Sequence, residues 1–261
     1  MDWKNPVKAR LQAGEPVFGA TITVPNPDVA SHLAAAGFDF LWFEMEHSPI
    51  TLESLRAMIL ATRGLPAIPM TRVPVNEIWA AKRVLDAGSA GVIFPFTETA
   101  AMAKQASAAC KYPPTGRRGS GANLASFRWP VENYYDTADR EFLVVAVVEQ
   151  ASALDEIDEI AATEGIDVLF IGTSDLSFSL GLRGDQNAPE LRQAVTRIRD
   201  AALANGKWVG RPAFPRDQIA NYISEGFQFF QVETDLGFLQ DGARRMLESV
   251  GRAAKLVDYA I

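Results

Sequence analysis

Two acids in this chain each follow closely on an apolar run. Glu149 comes directly after Leu143–Val148, and Asp175 follows Val168–Ile171 across the turn Gly172-Thr173-Ser174. Short uninterrupted apolar runs read as strands buried on both faces. Two such strands, each releasing a carboxylate at its C-terminal end, point to a divalent cation held at one end of a parallel sheet. Water and a chelating substrate would fill the open positions. The only histidines are His32 and His47, and the only cysteine is Cys110, so a multi-histidine or thiolate centre is excluded. Oxygen ligation favours Mg²⁺ or Mn²⁺ over Zn²⁺. Either acid would also serve to cap the next helix; for Glu149 the metal role ranks ahead, and for Asp175 capping stands as a serious alternative.

Further chemistry-bearing residues fall at other strand ends. Arg72 closes a short β-like run and has no acid immediately beside it. A guanidinium there suits a bidentate grip on a carboxylate or stabilisation of an enolate, with a surface ion pair as an even alternative. His47 is the one plausible imidazole base, with Glu44 and Glu46 close in sequence and Asp86 on the following helix. His32 lies inside a helical pattern and reads as structural. The Gly172-Thr173-Ser174 turn can present backbone N–H groups to an anion, though it is also an ordinary turn. Arg117-Arg118 suits an anion or, as favoured here, a loop or subunit contact.

The elements that would position these groups alternate. Strands are expected at 17–23, 40–45, 67–72, 91–95, 143–148, 168–172, 207–213 and 229–233. Helices are expected at 28–36, 51–63, 77–87, 99–111, 152–164, 189–205, 217–224 and 239–259, with a long irregular stretch over 112–138. Pro69 weakens the third strand. Eight strands alternating with helices is the count of an α/β TIM (β/α)8 barrel, and no composition break divides residues 1–261, so one domain is expected. A doubly wound open sheet is disfavoured because no Gly-x-Gly-x-x-Gly turn follows the first strand. Barrel chemistry sits at the C-terminal strand ends. Glu44, His47, Arg72, Glu149, Asp175, Arg211, Glu233 and Asp235 gather at those ends, which points to an enzyme.

Composition bounds the rest. The 261 residues carry a net charge of −7 with no basic block, so nucleic acid is not an expected partner. No apolar run approaches the ~20 residues that span a bilayer, and the first residues lack the apolar core of a signal peptide. A single cysteine excludes an internal disulfide and fits the cytoplasm.

Several stretches occur in order: Glu44-Met-Glu-His47-Ser-Pro49, Arg72-Val-Pro74, Val84-Leu-Asp86-Ala-Gly88, Tyr112-Pro-Pro-Thr-Gly-Arg-Arg-Gly119, Val148-Glu149 and Phe170-Ile-Gly-Thr-Ser-Asp-Leu176. Together they resemble the HpcH/HpaI family of class II, metal-dependent pyruvate aldolases over about Val17 to Leu239. The resemblance implies a TIM barrel whose C-terminal helix is exchanged between subunits of a homo-oligomer, a trimer or hexamer. It implies that Glu149 and Asp175 bind Mg²⁺, Mn²⁺ or a similar ion such as Co²⁺. Arg72 would stabilise the pyruvate enolate, and the backbone at Gly172, Thr173 and Ser174 would hold the pyruvate carboxylate. His47, made more basic by Asp86, would act as acid/base through a water on the metal. The implied reaction is aldol cleavage of 4-hydroxy-2-oxo acids to pyruvate or hydroxypyruvate plus an aldehyde. Decarboxylation of oxaloacetate, or another oxo-diacid lyase reaction, is the alternative. Glu44 stands where the family usually has Asp, Ser48 where Gly or Ala is common, Val147 where several relatives place a substrate-contacting Gln, and Thr173 where Pro is frequent. The first and third of these bear on substrate choice.

Overall fold

The computed structural model describes residues 3–254. Eight parallel strands close into a barrel in sequence order. They are β1 (Val17–Ile22), β2 (Phe40–Glu44), β3 (Ile68–Arg72), β4 (Gly91–Phe94), β5 (Leu143–Val148), β6 (Val168–Ile171), β7 (Trp208–Pro212) and β8 (Phe227–Thr234). The expected α/β TIM barrel is therefore the observed architecture.

The interior is filled by matching rings to glycines. Gly19 stands opposite Phe40 and Gly210 opposite Phe229 in the strand registers. A Cβ on Gly19 would lie 2.0 Å from the Phe40 ring, and one on Gly210 would lie 2.7 Å from the Phe170 ring. The absent side chains are thus the space the rings occupy. Phe40 stacks on Phe229 with centroids 4.4 Å apart, and Trp42 meets Phe170 at 5.0 Å. Alternation along a strand carries every second residue to the same side. Phe40, Trp42 and Glu44 therefore climb the inside of β2 from floor to mouth.

Pro69 is accommodated in β3 for a local reason. Its carbonyl accepts from Ala90 on the β4 side, so its missing N–H also faces that side, below Thr71↔Val92, the first paired residues of β3 and β4. The strand loses no ladder hydrogen bond.

The helices on the outside are α2 (Pro27–Ala35), α3 (Leu52–Ala61), α4 (Ile78–Ala87), α5 (Ala100–Cys110), α8 (Ile157–Ala161), α10 (Pro189–Ala204) and α11 (Ile219–Ser224). Four further helices depart from the sequence reading. α1 (Pro6–Gln12) is capped by Asn5, buries Val7 and Leu11, and reaches Asp167 through Lys8, so it crosses the N-terminal end of the barrel. α6 (Asn123–Arg128) and α7 (Tyr134–Glu141) fall in the stretch expected to be irregular. Neither has an apolar period: α6 holds Arg128 buried, donating to the carbonyls of Ile59 and Thr62, and α7 buries Tyr134 and Glu141. α9 (Thr173–Ser179) starts immediately after β6, where a loop was expected.

The C-terminal helix α12 spans Asp235–Ser249, starting earlier than expected because Thr234 caps it through the Gly237 N–H. It ends before Gly251, whose φ is +74°, and the remainder of the expected 239–259 helix lies outside the described residues. Leu239 and Met246 on α12, and Val250 just after it, are exposed. No helix among the described residues is long and apolar enough to cross a membrane.

Gly19→Ala tests the packing account. Phe40 is held by Phe229 and cannot swing away, so the added methyl should lower stability by about 1–3 kcal/mol. Urea unfolding followed by far-UV circular dichroism would show a lower midpoint; an unchanged midpoint would mean the floor is looser than described.

Candidate active site

Strand register brings the charged residues to one end. Glu44 pairs with Arg72 across β2 and β3, Val147 with Phe170 across β5 and β6, and Phe170 with Gly210 across β6 and β7. The inward alternation then places Trp42, Arg72, Val147, Glu149, Phe170 and Gly172 around a cavity of about 880 Å³ at the C-terminal mouth. His47, Thr173, Ser174 and Asp175 also line it.

Arg72 is fixed by two acids. Its Nε donates to Glu44 Oε2 at 2.6 Å, and Trp42 Nε1 donates to the same oxygen at 3.1 Å. Glu44 Oε1 accepts from the backbone N–H groups of Glu46 and His47. The longer Glu at this position thus ties together Arg72, Trp42 and the turn that carries His47. Arg72 Nη1 stands 3.0 Å from Glu46 Oε2, and His47 Nε2 stands 3.6 Å from it. Neither contact has hydrogen-bond alignment, so this buried oxygen is left without a hydrogen bond.

Glu149 is only 2% exposed, and its Oε1 accepts from the Phe96 N–H at 2.8 Å. Burial pushes its carboxyl up to about 7; the Phe96 hydrogen bond opposes this, and the nearby charges of Glu46 and Asp175 add to it. Glu46 is likewise pushed up to about 7, chiefly by burial, with Arg72 opposing and Glu44 and Asp175 reinforcing. Gly172 makes room for this arrangement: a Cβ there would stand 2.7 Å from Glu149 Oε2. Asp175 lies in the first turn of α9, whose leading N–H groups have no intrahelical partner, as in any helix.

The donor set fits a hard divalent cation. Two carboxylates, one deeply buried, face one cavity, and crowding by Glu46 favours a positive ion between them. Among the described residues no group of three His, Cys, Asp or Glu side chains is spaced to surround a metal, so water and substrate would complete the shell.

Other expected residues take different places. Asp86 has no hydrogen bond or ion pair to His47 among the described residues. Its carboxylate pairs with Arg118 at 3.2 Å, and the buried Arg118 guanidinium lies over the Tyr112 ring and donates to the Tyr134 hydroxyl. Arg118 thus stabilises the loop, while Arg117 is exposed. Arg211 stacks on Tyr222 at 3.5 Å, away from the mouth. Asp235 is a clasp: it accepts from the Thr23 and Val24 N–H groups and joins the end of β1 to α12. His32 is exposed on α2. The sequence reading missed Trp42 and the α12 wall of the cavity. A polar face at 237, 240, 241 and 244 was the available signal, but it also suits solvent.

The raised carboxyls have a thermodynamic consequence. Their folded values near 7 exceed the ordinary 4.5. Metal-free protein therefore has their full stabilising contribution below about 4.5 and loses it as pH rises through about 7. A divalent ion competes with those protons. Added Mn²⁺ should raise Tm more at pH 8 than at pH 5; equal shifts would contradict the assignment.

Comparison with known proteins agrees with this geometry. The chain is 35% identical over 246 residues to a 5-keto-4-deoxy-D-glucarate aldolase of Escherichia fergusonii, covering 94% of this chain and 96% of that protein. The crystal structure of an HpcH/HpaI aldolase/citrate lyase family protein from Burkholderia cenocepacia superposes with a TM-score of 0.87 at 33% identity, covering 95% of this chain and 100% of that one. An HpcH/HpaI aldolase from Desulfitobacterium hafniense also gives 0.87, at 25% identity, covering 96% and 98% of the two chains. The family model for HpcH/HpaI aldolase/citrate lyase matches residues 21–241, which span β1 to α12, and the chain belongs to that family.

Proposed function

We propose that this chain catalyses reversible aldol cleavage of 4-hydroxy-2-oxo acids to an aldehyde and pyruvate or hydroxypyruvate. The observation that carries this reading is the convergence of Glu149, Asp175, Arg72 and His47, from four different strand ends, on one cavity.

Glu149 and Asp175 would hold the divalent ion, Mg²⁺ or Mn²⁺, which supplies Lewis-acid polarisation of the substrate's 2-oxo group. The leading amides of α9, at Thr173 and Ser174, suit the adjacent carboxylate. His47, exposed at the mouth, takes the proton from the C4 hydroxyl. The C3–C4 bond breaks, its electron pair enters the C2–C3 enolate, and C4 leaves as the aldehyde carbonyl. Arg72, already held by Glu44, presents fixed positive charge to the enolate oxygen without reorganising. Returning the proton from His47 to C3 gives pyruvate. No lysine lines the cavity among the described residues, which agrees with enolate rather than Schiff-base chemistry. The exposed Leu239 and Met246 of α12, with Val250 at its end, support exchange of that helix between subunits of a homo-oligomer.

Proton exchange isolates the enolate step. With Mn²⁺ in deuterated buffer, the pyruvate methyl signal should disappear from the proton NMR spectrum, and EDTA should stop the loss. Arg72→Ala should slow exchange ~100- to 1,000-fold. Because that change also strands Glu44, Arg72→Lys should be run beside it and should retain part of the rate. Exchange indifferent to both EDTA and Arg72 would refute the mechanism.

A further inference from the structure

Among the described residues, two other than glycine have a left-handed backbone, Phe96 and Arg183, each with a φ of +48°. Arg183 lies in an exposed turn between Gly181 and Gly184. Phe96 lies just past β4, at the mouth of the barrel. A bulky side chain disfavours that conformation, and residues held in it gather at functional sites. The Phe96 ring is exposed and does not line the cavity, so it is the backbone that faces the site. The directions of the amides show what the turn does. Ile93 gives its carbonyl to the β3 side, where the Val73 N–H donates to it. Alternate residues of a strand face the same neighbour, so regular continuation would point the Phe96 N–H toward β5 and the Thr97 N–H back toward β3. The Phe96 N–H does point to β5 and donates to Glu149 Oε1 at 2.8 Å. The Thr97 N–H also points to β5 and donates to the Val147 carbonyl at 3.0 Å. The left-handed turn at Phe96 therefore sets two successive amides against β5, one on its main chain and one on the carboxylate at its end. Thr97 is buried and locks the turn: its hydroxyl donates to the Phe94 carbonyl at 3.3 Å and accepts from Asn76 Nδ2 at 3.4 Å.

We propose that Phe96 is a positioning residue, whose left-handed turn aims its N–H at Glu149 and holds that carboxylate in the orientation that takes a divalent ion. The inference rests on the metal-dependent reading above, in which Glu149 is a ligand. The groups that flank the Glu149 carboxylate give it no other hold: Gly172 has no side chain, and Val147 beside it is apolar. Carboxylates that ligate a metal are themselves hydrogen-bonded, and loss of such a partner costs ~10- to 100-fold in metal affinity.

Binding of Mn²⁺ to the metal-free protein, read by electron paramagnetic resonance of the free ion, tests this without turnover. Phe96→Gly keeps the N–H and takes a left-handed φ freely, whereas Phe96→Val keeps an apolar side chain but resists that φ. The turn predicts that Phe96→Val binds Mn²⁺ ~10-fold more weakly than the wild type, and that Phe96→Gly binds it more tightly than Phe96→Val does. A packing role for the ring predicts the reverse order, because valine replaces more of the ring than glycine. Replacing Phe96 by its α-hydroxy acid, phenyllactate, exchanges the N–H for an ester oxygen and leaves the ring in place. That change should weaken Mn²⁺ binding ~10- to 100-fold, and it carries the test if Phe96→Val does not fold. Phe96→Val binding at least as tightly as Phe96→Gly, or an ester binding as tightly as the wild type, overturns the proposal. Glu149→Gln separates the two claims. Wild-type binding that is lost in Glu149→Gln but indifferent to position 96 sinks only this inference; binding that survives Glu149→Gln sinks the metal reading and this inference with it.

Discussion

Arg72 is the one guanidinium set among four carboxylates at the barrel mouth, those of Glu44, Glu46, Glu149 and Asp175, and that imbalance shapes the site. Glu44 takes the Arg72 Nε–H, and Glu46 takes the close approach to Nη1. Glu149 is left buried, with a single backbone N–H for its Oε1, and its carboxyl rises accordingly. Removing charge from water is costly unless a counter-charge or hydrogen bonds replace the lost hydration. A divalent cation between Glu149 and Asp175, as proposed, would supply that replacement beside a wall of valine, tryptophan and phenylalanine.

The same constraint sets what lies below. Trp42 can sit under Arg72 because its indole N–H has Glu44 to donate to. Trp42 and Phe170 fit because Gly210 leaves the space. Gly172 has no freedom to change, since any side chain would press on Glu149. The glycines of this barrel therefore act mainly by the volume they leave empty.

Much of this was legible in the sequence. The eight strands were readable because a parallel barrel buries both faces of each strand, so apolar runs such as Leu143–Val148 stand out, and the polar residue that ends each run marks the mouth. Glu149, Asp175, Arg72 and His47 stood out as candidates from that pattern, with capping open for Asp175 and a surface ion pair for Arg72, and their roles were implied by the family resemblance. What was hidden is tertiary. α6 and α7 lack an apolar period because Arg128 and Tyr134 are held by hydrogen bonds and ring contacts to distant segments. The Asp86–Arg118 pair depends on a loop that returns from residue 118 to α4, and no local spacing reveals it. In the chain the Asp86 carboxylate is paired with Arg118, a partner that the family resemblance did not suggest. The role of Glu44 was ambiguous for a different reason: its longer side chain reaches Arg72, Trp42 and two backbone amides together, and only register shows that they converge.

The most direct measurement is a crystal structure with Mn²⁺ and oxalate, a planar mimic of the enolate, with the metal located by anomalous scattering. The account predicts a single strong peak between Glu149 and Asp175, with oxalate reaching from the metal to the start of α9 and to Arg72. A peak elsewhere, at Glu233 and Asp241 for example, or oxalate bound with no metal between those two carboxylates, would contradict it.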